Sequence, residues 1–214
     1  MSLCFGGLVL FVGYQGVQTL RLLTRIERDR DQWQRPSEIL QQLNVTEGSV
    51  VVDLGSGAGY FALKLSPMVG TARMVVAEDI RRESLAFLWI RRFLGNARNV
   101  RVVHGEPNDP RLPPIRVDAV LIANTYHELS QPKPILNALF HAMTSGGRLV
   151  IVDRRPRADG ALSRQTATGH HELSPDVVVR EIRQEGFEAV SREDQFIDRP
   201  EDDDVWWLLV ARKP

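Results

Sequence analysis

The sequence predicts an α/β domain, with a mostly parallel sheet covered by helices on both faces. Three observations carry this reading. Short apolar, β-branched runs recur at residues 50–54, 74–77, 100–103, 117–122 and 148–152. The first of them lacks polar alternation, as a strand buried on both faces does. Between most of them lie stretches of helical length, which parallel strands need as crossovers. Glycines follow the first run at alternate positions, Gly55, Gly57 and Gly59.

The elements follow in order. Residues 1–20 carry no charged side chain, and Leu8-Val9-Leu10-Phe11-Val12 is solidly apolar. About 20 uncharged residues just span a bilayer as a helix. Gly6, Gly7, Gly13, Gly16, Gln15 and Gln18 weaken that pattern, and Arg21, Arg25, Arg28 and Arg30 follow it. Arginines there would hold the rest of the chain on the cytoplasmic side. The reading favours membrane contact through residues 3–20, with the alternative of an apolar helix packed on the domain or on a second subunit. The expected division is therefore 1–30, an apolar helix followed by a charged run that forms a solvated helix or a linker, and 31–214, the α/β domain.

Pro36 suits the first turn of a helix over 37–43, because its missing N–H is not needed there. Glu47-Gly48 turns into the first strand. Helices are expected at about 60–69, 82–94 and 133–143. A Pro-rich loop occupies 105–114, and Gly146-Gly147 opens the fifth strand. Residues 154–172 are polar without periodicity and read as a mobile loop. Ser174-Pro175 opens a helix to Gln184, followed by strands at 186–190 and 204–211. No helix fits between these two, so they should pair antiparallel. Trp206 and Trp207 read as one core residue and one half-exposed neighbour.

Lys+Arg and Asp+Glu each number 27, so overall charge argues for neither nucleic acid nor an acidic substrate. Cys4 is the one cysteine, which excludes an internal disulfide and any multi-cysteine zinc site.

The turn after the first strand carries the most chemistry. Ligands of parallel sheets bind at the carboxyl ends of strands. Glycines there let a ligand approach the backbone closely. Asp53-Leu54-Gly55-Ser56-Gly57-Ala58-Gly59-Tyr60 has G-x-G-x-G spacing. Dinucleotide sites favour G-x-G-x-x-G, where a helix N-terminus meets pyrophosphate. The spacing therefore suits S-adenosylmethionine, which has no phosphate. Asp53 would orient its amino-acid end, directly or through water.

About twenty residues on, Glu78 and Asp79 offer a carboxylate for ribose hydroxyls. Strand alternation turns adjacent side chains apart, so one should face the ribose. Asp79 is preferred, with Ile80 against the adenine. Glu106 and Asp109, in Gly105-Glu106-Pro107-Asn108-Asp109-Pro110, lie where the adenine amino group could be bound. Turn chemistry alone also explains such residues.

In this order of motifs the chain resembles the class I, Rossmann-like S-adenosylmethionine-dependent methyltransferases, in particular a bacterial methyltransferase-domain group. The resemblance runs from about Trp33 to Lys213. It takes in Trp33-Gln34-x-Pro36, the 53–59 turn, Ala77-Glu78-Asp79-Ile80, Asp109-Pro110-Arg111-Leu112-Pro113, Tyr126-His127-Glu128, Gly146-Gly147-Arg148-Leu149 and Gly186-Phe187. It implies seven strands ordered 3-2-1-4-5-7-6, the last antiparallel. It also implies cofactor contacts from Asp53, Gly55, Ser56, Gly57, Gly59, Tyr60, Asp79, Ile80, Glu106, Asp109 and Asn124.

Asn124-Thr125-Tyr126-His127-Glu128 ends the fourth strand, which faces the transferring methyl group in that fold. Methyl transfer is an in-line displacement, so the enzyme positions the acceptor and removes its proton where needed. His127 is the candidate base, or else caps the loop by a backbone hydrogen bond. Tyr126 is a candidate to stack on substrate. Adjacent His170, His171 and Glu172 rarely converge on one ion, so no metal is expected. His104 reads as structural.

The expected function is methyl transfer to a small-molecule acceptor, since no extra domain or basic stripe suits a macromolecule. Absence of Asn-Pro-Pro-Tyr after the fourth strand argues against amide or nucleobase amino groups. A non-catalytic cofactor-binding or membrane-tethered scaffold is the alternative, and a different reaction on the same fold is a third.

Overall fold

Thirteen of the elements that the sequence suggested organise into two compact units, Met1–Arg35 and Pro36–Pro214, in a computed structural model that describes residues 2–157 and 169–214. The first unit is one helix, α1 (Ser2–Trp33), so the charged run from Arg21 continues the helix and does not form a linker. The run is mostly exposed, and no helix among the described residues is long and apolar enough to cross a membrane.

The second unit carries helices α2 (Pro36–Gln42), α3 (Tyr60–Val69), α4 (Arg82–Leu94), α5 (Pro132–Ala142) and α6 (Pro175–Gln184). Its strands are β1 (Val51–Leu54), β2 (Val75–Asp79), β3 (Val100–His104), β4 (Val117–Ala123), β5 (Met143–Arg154), β6 (Glu188–Arg199) and β7 (Asp204–Arg212). They form one sheet in the order β3-β2-β1-β4-β5-β7-β6. The first five are parallel, and β7 runs antiparallel to both β5 and β6. This is the Rossmann-like arrangement implied above.

Burial follows position in the sheet. Every residue of β1 and β2 is buried, because helices cover both faces at the centre. At the edge, β6 runs to twelve residues and is exposed along most of its length. It carries Arg192, Glu193, Asp194 and Asp198 and two register shifts against β7. Charge and bulging blunt an edge that would otherwise template further pairing. The sequence suggested a shorter strand here because these polar residues show no alternation.

On one face, α5 and α6 place Ile135, Leu136, Leu139, Val178 and Ile182 against Val120, Ile122, Leu149 and Ile151. Ser174 caps α6 by accepting the Asp176 N–H at 3.3 Å. Both tryptophans of β7 are buried, contrary to the half-exposed neighbour expected. Trp207 donates to the Leu173 carbonyl at 2.8 Å. On the other side, Trp206 donates to Asp204 at 2.8 Å, and the Arg154 guanidinium lies over its ring. The amphipathic tips find polar partners, which allows burial on both faces.

The mobile loop expected over 154–172 falls largely on residues 158–168, which lie outside the described residues. Its flanks are fixed: Leu173 donates its N–H to the Arg154 carbonyl at 2.9 Å.

Leu139 is fully buried in the cluster under α5. Leu139→Ala is expected to cost about 2–5 kcal/mol, measured as a lowered urea midpoint.

Candidate cofactor and acceptor site

The strand order reverses between β1 and β4, and the cleft of a doubly wound sheet opens outside the carboxyl ends at such a point. Here the turn after β1 is fixed from two sides. Gly55 and Ser56 donate their N–H groups to the Glu78 carbonyl at 2.9 and 2.8 Å. On the other flank, a Cβ at Gly55 would overlap the Thr125 side chain, and Gly55 has φ 75. Only glycine satisfies both the left-handed backbone and the close approach.

The cleft beyond this turn is bordered by Gly55, Asp79, Ile80 and Glu106, all expected from sequence, and also by Glu78. Glu78 and Asp79 thus both reach it, although alternation was expected to turn one away. The reason is that β2 ends at Asp79, and the cleft wraps round the strand end.

The two acids are held differently. Asp79 accepts the Gly57 N–H and the Arg81 N–H, each at 2.8 Å, and the Arg81 guanidinium lies 3.5 Å away. It therefore braces the glycine turn against β2. Glu78 fits against Gly105, where a Cβ would collide with its carboxylate. Burial, then the Asp79 charge, pushes the Glu78 carboxyl up to about 8.

Other expected contacts lie around this cleft. Ser56 Oγ and Asn124 Oδ1 are buried without a hydrogen-bond partner among the described residues. Buried polar groups ordinarily are hydrogen-bonded, so both fit a polar ligand at the ends of β1 and β4. Asp53 is buried at the end of β1. Gly59 precedes α3 with φ 91. Tyr60 is buried at the start of α3, its ring edge-on to Phe61. Glu106 is paired with Arg111. Asp109 is exposed, accepts the Arg111 N–H at 2.8 Å and borders a different cleft, with Pro110 to Arg116. His104 touches the Ile80 carbonyl at 3.1 Å.

The segment after β4 extends the same cleft through Thr125, Glu128, Leu129 and Ser130. Tyr126 is fully buried in the core, and its hydroxyl donates to Glu181 at 2.8 Å. Its ring is thus part of the core under α5 and α6. His127 is also fully buried, because Asp153 at the end of β5 grips it twice. Its backbone N–H donates to one carboxylate oxygen at 3.0 Å, and its ring Nδ1 meets the other at 2.7 Å. His127 Nε2 lies 3.1 Å from His171 Nδ1. Sequence reading missed Asp153 and the His127–His171 contact. The available signal for Asp153 was a lone acid ending a buried apolar strand, as Asp53 does in β1.

This fold, with a glycine turn, acids at the end of the adjacent strand and a polar fourth-strand end, defines a nucleoside-binding α/β protein. A family model described as a methyltransferase domain matches residues 45–194, and the chain belongs to that family. The matched domain is of the S-adenosylmethionine-dependent methyltransferase class. A solved S-adenosylmethionine-dependent methyltransferase from Aquifex aeolicus is 26% identical, with a TM-score of 0.68 over 82% of this chain and 88% of that one. The [4+2]-cyclase SpnF, 16% identical with a TM-score of 0.72, covers 85% of this chain and 81% of that one, and shares the fold. The ubiquinone/menaquinone biosynthesis C-methyltransferase UbiE of Pasteurella multocida (strain Pm70) is 29% identical over 116 residues. That match covers 51% of this chain and 41% of the relative, so the chain spans about two fifths of its length.

The folded pKa of Glu78 lies above its ordinary value of 4.5. Its favourable contribution to stability is therefore full below about 4.5 and is lost as pH rises through about 8. Glu78→Gln is expected to remove that loss. Urea midpoints at mildly acidic and mildly alkaline pH should fall further apart for the wild-type chain than for the variant.

Proposed function

We propose that this chain transfers a methyl group to a small-molecule oxygen, carbon or sulfur acceptor bound beside residues 124–128. The observation that carries this is one continuous cleft. Its lining takes in the ribose-type acids Glu78 and Asp79 from the end of β2, and Thr125 and Glu128 from the segment after β4. When bound, S-adenosylmethionine supplies an electrophilic methyl group. Asp79, already fixed by two N–H donors, keeps lone pairs for the ribose hydroxyls. Ser56 Oγ and Asn124 Oδ1 take polar groups of the amino-acid end, Ile80 lies against the adenine, and Glu106 borders it.

On the acceptor side, Asp153 fixes the orientation of the His127 ring. With Nδ1 donating to Asp153, Nε2 carries the lone pair that takes an acceptor proton, through His171. The name of the UbiE relative specifies carbon methylation in quinone biosynthesis. It supports a small-molecule acceptor for this chain, while the partial overlap supports the choice of atom less.

Asp79→Asn is expected to weaken S-adenosylhomocysteine binding about tenfold, the effect of a charged hydrogen bond of about 1.5 kcal/mol, measured by calorimetry. Incubation with methyl-labelled cofactor and cell extract should place label in the small-molecule fraction. Label in protein alone would overturn the acceptor class, and cofactor binding with no label in any fraction would favour the non-catalytic reading.

We propose also that residues 3–20 bring the chain to a membrane surface. Their lack of charge and the following arginines support this. Full-length protein should float with anionic phosphatidylglycerol vesicles and a 31–214 form should not. Equal behaviour of the two would overturn the contact.

A further inference from the structure

We propose that His127 Nε2, His171 Nδ1 and a Glu128 carboxylate oxygen form a binding site for one divalent first-row transition metal, of the Zn2+ class. These three atoms lie within 4.8 Å of one another. His127 Nε2 is 3.1 Å from His171 Nδ1 and 3.8 Å from Glu128 Oε1. A tetrahedral ion with bonds of about 2.0–2.1 Å separates its ligand atoms by about 3.3–3.4 Å. The cluster brackets that spacing, so small side-chain adjustments seat an ion.

The donor set is chemically coherent. Two imidazoles and one carboxylate suit zinc and its neighbours, and leave coordination positions open. A metal-binding histidine characteristically donates its other ring N–H to a carboxylate, which fixes the tautomer. Asp153 does this for His127, with Nδ1 to Oδ1 at 2.7 Å and both side chains fully buried. His171 stands at φ 56, and its ring meets His127 edge-on.

The neighbours along the chain, His170, His171 and Glu172, do not by themselves make this site. Glu172 is indeed used elsewhere: it accepts the Arg157 N–H at 3.0 Å and pairs with its guanidinium at 3.2 Å. The fold supplies His127 and Glu128 instead, from the far side of the sequence.

Glu128 also borders the cofactor cleft. An ion here takes up the Nε2 lone pair that serves as base in its absence, and stands beside the acceptor end, where an open coordination position takes an acceptor oxygen or sulfur and lowers its pKa in place of that base. That last step rests on the reading of the chain as a small-molecule methyltransferase. Metal binding itself does not, and is measured without the reaction.

The test uses untagged full-length protein stripped with chelator and titrated with Co2+, followed optically and by calorimetry. One equivalent should saturate the visible Co2+ bands, and Zn2+ should displace it. His171 and Glu128 are exposed, so His171→Ala and Glu128→Ala are expected to fold and to weaken binding about tenfold or more. Asp153→Asn, checked by circular dichroism, should weaken it by about 10–100-fold. Absence of saturable binding at micromolar Co2+ would overturn the site. So would binding left unchanged by both exposed-residue variants.

Discussion

The approach of the glycine turn to the end of β4 is the constraint on which the site depends. Gly55 lies where no side chain fits beside Thr125, and the turn is hydrogen-bonded to the Glu78 carbonyl of β2. Three strand ends are thus drawn to one point. The parallel sheet makes this possible, because all its carboxyl ends emerge on one edge. A nucleoside cleft follows from this convergence, and the polar segment after β4 becomes its far wall.

The acids around the cleft show how placement divides labour between similar side chains. Asp79 is held by two backbone donors, the Gly57 and Arg81 N–H groups. Glu78, its neighbour in sequence, is buried beside the Asp79 charge and is pushed towards neutrality near pH 8. One acid is fixed as a brace, and the other is left sensitive to whatever enters the cleft. A comparable division occurs across the sheet, where Asp153 orients His127 and accepts the Arg154 N–H while Glu128 lines the cleft.

Much of the fold was legible in the sequence for a simple reason. Strands buried on both faces are built on short apolar, β-branched runs, so β1, β2 and β4 stand out, and the intervening helices α3 and α4 begin and end at residues the pattern marked. Edge strands obey no such rule. The polar β6 runs well past the stretch at 186–190 that the pattern marks, and both tryptophans of β7 are buried where the pattern suggests only one. The helical continuation from the apolar N-terminal run into the charged residues was also not evident, because charge suits either an exposed helix or a linker.

By itself the sequence determined the sheet, the glycine turn and the cofactor class, since each depends on local spacing and on residue types close along the chain. The tertiary structure decided what those residues do beyond that. It put Tyr126 into the core, turned both Glu78 and Asp79 to the cleft, and joined His127 to Asp153 and His171. These last contacts link residues 26 and 44 positions apart. No periodicity records such pairings. They arise because parallel strands return every crossover to the same edge of the sheet.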